Sequence, residues 1–281
     1  MRVVISTHQW PEALDIVLAA LAEQPGIAEI VVADDGSGRS TLEVVTRWQA
    51  KYGEALKYVW QQDAGFRKAR VLNLGALAAT GDYLLFLDGD CVPRRGFLAA
   101  VRRAAIPGWF VAGKRLAMSE ELSRRVLEER LPVWRWSALH WFLRVPAEFA
   151  SAPSDARRRP GLLLPIRDRR RPWRPGQSEF RPPYGGYGSP FGVAREDFER
   201  INGFDMRFVG WGGEDVDTAL RLRRAGVRCG WPGAQATMLH LWHPTRKGRT
   251  PSNAALRKAT AESTRIEAVE GLRELAREIA A

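Results

Sequence analysis

The chain has 281 residues, 45% hydrophobic and 27% charged, which is enough for one large α/β domain or two small ones. Its 43 lysines and arginines outweigh 32 acidic residues, a formal net charge of +11. Such a surface favours anionic partners: phosphosugars, nucleic acid or acidic lipid. Two cysteines, Cys91 and Cys229, make no disulfide framework. No apolar run reaches the roughly 18 residues of a membrane span, and the N-terminus enters a strand without a signal-peptide pattern. These features predict a soluble, cytoplasmic protein, at most peripheral on the inner face of the plasma membrane.

Taken in chain order, Val3 to Thr7 reads as a strand, and Pro11 to Ala22 as a helix with proline at its start. Glu29 to Ala33 is an apolar strand running into Asp34-Asp35-Gly36-Ser37. A helix is expected over Thr41 to Tyr52, a short strand over Lys57 to Trp60, and a helix over Phe66 to Ala79. Tyr83 to Leu87 is a strand that ends in Asp88-Gly89-Asp90, followed by helices over Arg95 to Ala105 and Ser119 to Leu131. Residues 132–183 are dense in Pro, Arg and Trp and read as a long loop or lid. Helices follow at Arg195 to Arg200 and Glu214 to Ala225, with one charged helix over Ala254 to Ala281. Short strands separated by helices imply an α/β fold with a mostly parallel sheet and helices on both faces. Sites in such sheets lie at the carboxyl ends of strands, where both Asp34-Asp35 and Asp88/Asp90 fall.

Four motifs carry chemistry. Alternation along a strand lets Asp88 and Asp90 share a face. Hard oxygen ligands there suit Mg²⁺ or Mn²⁺, and such an ion could hold a diphosphate; the plain alternative is a strand-to-turn junction. Asp34 and Asp35 can accept hydrogen bonds from a base or ribose, or cap a turn. Gly65 opens a helix whose first turn holds Arg67, Lys68 and Arg70. Cations there oppose the macrodipole, so an anion at that terminus would resolve the conflict, unless the face is merely solvated. Gly210-Trp211-Gly212-Gly213 precedes Glu214 and Asp215 in a first helical turn. The glycines permit close backbone approach, and a carboxylate there can act as general base; simple dipole compensation explains the acids but not the Trp-Gly-Gly. His240 and His243 make, with carboxylates, an acceptable Mn²⁺ ligand set. In a continuous strand their i, i+3 spacing would put them on opposite faces, so either a turn intervenes or one histidine binds, with His243 favoured.

Together these residues resemble an inverting glycosyltransferase of the GT-A fold, family 2 type. Asp34-Asp35-Gly36-Ser37 resembles the family's nucleotide-base motif, Asp88-Gly89-Asp90 its DxD metal motif, and Gln62 to Arg70 its diphosphate-side helix. Asn202-Gly203-Phe204-Asp205 with Gly210 to Asp215 is similar to the acceptor motif of β-1,4-galactosyltransferases and bacterial chondroitin-type polymerases. The resemblance implies a UDP-sugar donor and Mn²⁺ or Mg²⁺. Thr7, Asp34 and Asp35 would lie at base and ribose, with Arg67, Lys68, Arg70, Asp88, Gly89 and Asp90 on the donor. Asp90 and His243, with Asp88 and His240, would surround the metal; in the galactosyltransferases a sulfur-bearing residue stands where this chain has His240. Asp215 would be the base, Glu214 an acceptor contact, and Trp211, Gly212, Gly213 and Tyr187 the sugar-binding surface. Ser6-Thr7-His8-Gln9 departs from the Pro-Thr-Tyr-Asn usual in the family.

The resemblance also divides a single domain into a nucleotide-sugar half (1–115), an Arg/Trp-rich insertion or lid (116–183), an acceptor half (184–250) and a C-terminal helix (251–281). A glycine-rich stretch, Tyr184 to Ser189, would hinge the lid. The acceptor would be a glycan or glycolipid, and the charge favours an anionic one or contact with acidic membrane. The competing readings are a basic nucleic-acid-binding protein, disfavoured by the lack of zinc-finger spacing or an RNP-like motif, and a catalytically inactive sugar-binding protein.

Overall fold

The computed structural model describes residues 1–137, 139–140, 189–230, 232–244 and 250–281. The first half alternates as expected: β1 (Arg2–Thr7), α1 (Pro11–Ala22), β2 (Glu29–Asp34), α2 (Arg39–Tyr52), β3 (Leu56–Trp60), α3 (Lys68–Ala78) and β4 (Tyr83–Asp88). After it come β5 (Cys91–Pro93), α4 (Phe97–Ala104), β6 (Trp109–Ala112), β7 (Lys114–Ala117) and α5 (Glu120–Glu128). Ser119 caps α5 by accepting a hydrogen bond from the Leu122 N–H at 3.1 Å. The later elements are β8 (Phe191–Ala194), α6 (Arg195–Arg200), α7 (Glu214–Arg224), β9 (Arg228–Gly230), β10 (Thr237–His240), α8 (Pro251–Glu262) and α9 (Leu272–Ala280).

Among the described residues, seven strands form one sheet in the order β3-β2-β1-β4-β8-β6-β9, and β5-β10-β7 form a smaller one. In the large sheet only β8 runs antiparallel to its neighbours, β4 and β6. The inner strand β2 is buried along its whole length, which is why its sequence is an apolar run rather than an alternation. Each face carries an apolar core. Leu14, Leu18, Val45 and Phe97 pack on one side, and Val71, Leu72, Phe198 and Leu222 on the other.

Register places the chemistry. Thr7 at the end of β1 lies opposite Asp34 on β2, and Ser6 lies opposite Asp88 on β4. Both acidic motifs therefore flank the carboxyl end of β1. At Gly89 the chain folds back so closely that a Cβ would sit 2.9 Å from the Ser6 carbonyl oxygen, so a side chain there would displace β1 or the turn.

Two expectations are corrected. The charged C-terminal stretch is two helices, α8 and α9, not one over residues 254–281. The segment between them hydrogen-bonds to the 201–206 turn instead of to itself: Ala268 N–H to Ile201 O at 2.9 Å, Met206 N–H to Glu270 O at 2.7 Å and Leu272 N–H to Asn202 O at 3.1 Å. Those tertiary bonds satisfy backbone groups that a continuous helix would have used internally. Six short strands, β5 to β10, were also not anticipated; at three or four residues each, they carry too little periodicity to read. Within the 132–183 stretch, residues 141–183 and Ala138 lie outside the described residues, as do residues 184–188 of the expected hinge Tyr184 to Ser189, Tyr187 among them.

Candidate active site

β4 ends at Asp88, so the strand alternation that would put Asp88 and Asp90 on one face stops there, and the two carboxylates take different partners. Asp88 is held from three sides. Its N–H donates to Ser189 Oγ at 2.9 Å, Lys68 Nζ lies 2.6 Å from Oδ1, and Arg115 Nη1 lies 3.4 Å from Oδ2. Asp90 instead meets the histidines: His240 Nε2 at 3.4 Å and His243 Nε2 at 3.6 Å, both from Oδ2. The two rings meet edge to face, with centroids 5.0 Å apart. β10 ends at His240, and the irregular chain beyond it brings His243 back to the same carboxylate. The chain leaves strand geometry after His240, so both rings reach one carboxylate despite their i, i+3 spacing.

One carboxylate oxygen with two imidazole nitrogens converging on it is a donor set that fits a divalent first-row cation. The Cys91 thiol, 3.3 Å from Asp90 Oδ1, completes a cluster with Asp90 and His240. Burial would raise the Asp90 carboxyl, but the hydrogen bond and charge of His240 outweigh it and hold Asp90 below the usual carboxylate range.

The base motif is internally satisfied. Asp34, fully buried, accepts from Tyr58 Oη and the Ser37 N–H, both at 2.8 Å. Asp35 accepts from the Arg67 N–H at 2.8 Å and from Gln61 Nε2; burial nevertheless lifts its carboxyl above the ordinary value. Thr7 is buried and its carbonyl accepts the Asp35 N–H at 2.9 Å. The anion that the cationic start of α3 called for is thus supplied by the protein: Asp35 at the helix terminus and Asp88 on Lys68. Arg67 donates to the Gln62 carbonyl. Arg70 bridges Gln61 Oε1 at 2.8 Å and Glu278 Oε1, on α9, at 2.6 Å.

On the far side, Gly213 caps α7 with φ of +113°, and a Cβ there would also meet Phe208 at 2.9 Å; glycine is required at that corner. Gly212 is left-handed too, with φ of +88°. The loop is tied down by the Gly210 N–H to Phe66 O at 2.8 Å and the Thr250 N–H to Trp211 O at 3.2 Å, while the Trp211 side chain stays exposed. Glu214 Oε1 lies 3.7 Å from Lys68 Nζ, and its buried Oε2 has no hydrogen-bond partner among the described residues. Burial, then the charge of Asp215, pushes the Glu214 carboxyl up to about 7. Asp215 is raised as well, by burial first and by Asp88, against the pull of Lys68. Lys68 therefore joins the DxD segment to the Glu214-Asp215 turn, and sheet and helix share one site.

Sequence reasoning missed Arg115 and Gln61, and named Ser189 only as part of the expected glycine-rich hinge. Ser189 accepts the backbone N–H of Asp88 and Gln61 donates to the Asp35 carboxylate, both far off in the chain, and neither leaves a local signal. Arg115 left none either: its outward place on β7, between buried Lys114 and Leu116, appears only in the fold.

This sheet order, with acidic motifs at strand ends and a carboxylate–histidine cluster beside them, defines the GT-A class of glycosyltransferase architecture. Solved structures share the fold. A mannosyltransferase from Pyrobaculum calidifontis in complex with GDP-Man and Mn²⁺ superposes with a TM-score of 0.55 at 19% identity, covering 99% of this chain and 73% of that one. GalNAc-T7 with UDP, GalNAc and Mn²⁺ gives 0.57 at 15% identity, covering 91% and 47%. Residues 2–156 match the family model for glycosyl transferase family 2, and residues 176–244 match that for the N-terminal domain of galactosyltransferase. The chain belongs to glycosyl transferase family 2. It is 31% identical over 244 residues to validoxylamine A glucosyltransferase from Streptomyces hygroscopicus subsp. limoneus, covering 81% of this chain and 48% of that protein. Against chondroitin synthase from Escherichia coli it is 26% identical over 284 residues, covering 93% and 37%. The chain thus spans about half the length, or less, of these curated relatives.

Proposed function

We propose that the protein is a metal-dependent inverting glycosyltransferase. It moves a hexose or N-acetylhexosamine, galactose-type favoured, from a UDP-sugar to a hydroxyl of a glycan or glycolipid in the synthesis of cell-surface polysaccharide or lipopolysaccharide. The observation that carries this reading is the linkage of Asp88, Lys68 and Glu214 beside the Asp90–His240–His243 cluster. Family membership and the neighbours crystallised with nucleotide, sugar and Mn²⁺ support it.

Asp90, His240 and His243 would hold Mn²⁺ or Mg²⁺, which when bound neutralises charge on the departing diphosphate. The chain's own groups do the rest. Asp35 accepts hydrogen bonds from the base, and Trp211 offers its exposed ring as a platform for a sugar. Asp215 takes the proton of the acceptor hydroxyl, and Glu214, with one oxygen unpartnered, receives a second acceptor hydroxyl. The acceptor oxygen attacks the anomeric carbon opposite the diphosphate, so configuration inverts and no protein nucleophile is required. The net charge of +11 favours an anionic acceptor and a cytoplasmic enzyme resting on the acidic inner leaflet. No helix among the described residues is long and apolar enough to cross a membrane.

The test is a thermal-shift and calorimetric screen of UDP-sugars with and without Mn²⁺, followed by NMR of the anomeric proton in the product. Metal-dependent binding of a UDP-sugar and an inverted linkage are expected. Metal-independent binding, or a retained configuration, defeats the reading.

A further inference from the structure

Of the cations expected to meet the donor phosphates, Arg70 is committed elsewhere and Arg67 is held within its own loop. Arg67 donates to a backbone carbonyl within its own loop, its buried Nε having no partner among the described residues, and Arg70 is divided between Gln61 and Glu278. Lys68 is close-paired to Asp88 at 2.6 Å. Arg115 differs from all three in being exposed. It projects from the outward face of β7, since Lys114 and Leu116 on either side are buried. On the neighbouring parallel strand it lies opposite Met238, two residues before His240. A guanidinium offers five N–H donors, and among the described residues its side-chain hydrogen bonding is one long contact, 3.4 Å to Asp88 Oδ2. The side chain remains 42% exposed. Its charge also acts on Asp215, on α7. A cation with spare donors, solvent access and a place beside the carboxylate–histidine cluster is built to receive a second anion.

We propose that Arg115 is the residue that grips the diphosphate of the sugar nucleotide, turning from Asp88 to the phosphate oxygens while Lys68 keeps Asp88. The assignment rests on the transferase reading above and deepens it. Guanidinium–phosphate pairing is planar and two-pronged, stronger and more directional than the long contact it replaces. In the transfer step the acceptor oxygen bonds to the anomeric carbon and the bond from that carbon to the phosphate oxygen breaks. The electron pair leaves with the diphosphate, and the acceptor proton passes to Asp215. Arg115 stabilises the charge that arrives on the leaving oxygens.

Calorimetry on the full chain with Mn²⁺ separates phosphate binding from base binding. Arg115→Met is expected to weaken UDP and inorganic pyrophosphate by at least about tenfold while leaving uridine affinity unchanged, and Arg115→Lys is expected to recover part of the loss. Arg124→Met, on the exposed face of α5, serves as the control with wild-type affinities. Unchanged UDP and pyrophosphate binding in Arg115→Met overturns the proposal, as does an equal loss of uridine and UDP, which would mean a purely structural hold on Asp88. Should Arg115→Met fail to fold, the Arg115→Lys comparison of UDP with uridine decides by the same rule. A wild-type protein that binds pyrophosphate through Arg115 but not UDP would sink the UDP-sugar reading while sustaining this one.

Discussion

The Asp217 carboxylate and the Arg221 guanidinium meet at 2.7 Å with neither side chain reaching solvent. Asp217 lies about one turn, and Arg221 about two turns, along the helix that begins with Glu214 and Asp215, and Asp217 also accepts from Thr260 Oγ1 at 2.7 Å. Arg221 Nη1 donates to the carbonyls of Ile201 and Gly203 at 2.7 and 2.8 Å. This knot joins the base-bearing helix to α8 and to the 201–203 turn. Arg221→Ala leaves the buried Asp217 carboxylate without its countercharge and the Gly203 carbonyl without that donor and is expected to cost about 3–5 kcal/mol, read as a shift in the denaturant midpoint. A loss below about 1 kcal/mol would show that the pair is not what holds the helix.

Chelation is expected to abolish transfer, and Mn²⁺ to restore it. Asp90→Ala and His243→Ala should each weaken Mn²⁺ binding by more than about tenfold, measured by electron paramagnetic resonance of free Mn²⁺. Both residues converge from different elements on one point, so wild-type Mn²⁺ affinity in either variant would remove it from the ligand set.

Asp215→Asn is expected to lower turnover by about 10²–10⁴-fold while keeping UDP-sugar affinity. The Asp215 carboxyl is raised by burial and by Asp88, and a base must be ionised to work. The turnover of wild type should therefore climb with pH through a range above that of an ordinary carboxylate and then level off. Lys68 opposes that rise, so Lys68→Met should move the limb to still higher pH. A limb that stays put, or moves down, contradicts the assignment.

Stability should respond to pH with opposite signs at two acids. The Asp205 carboxyl is raised by burial but lowered further by the Arg207 pairing, and the net is down. Its stabilisation is present above the unfolded value of 3.8 and is lost as pH falls through the depressed folded value. Glu214 is raised from 4.5 to about 7, so its contribution is full below 4.5 and is lost as pH rises through about 7. Glu214→Gln should consequently stabilise the protein at pH 8 relative to wild type by on the order of 1 kcal/mol, and less at pH 5. Asp205→Asn should flatten the acid limb. Thermal unfolding at pH 3, 5 and 8 checks both; an equal effect of Glu214→Gln at pH 5 and 8 would refute the buried-acid account.

The four motifs, the alternating first half and the helix starts at residues 195 and 214 were legible from the chain alone. They depend on local rules: apolar runs for buried strands, acids at strand ends, glycine before a helix. The partner each charge takes was not legible. Lys68 chose Asp88, Arg70 chose Glu278, and Arg115 entered the site from a four-residue strand too short to read. Electrostatic and hydrogen-bond pairing decays over a few ångströms of space and is indifferent to distance along the chain. Residue identity by itself therefore determined which chemistry was available, and only the packing of β1, β4, β10 and α7 decided which groups share a site.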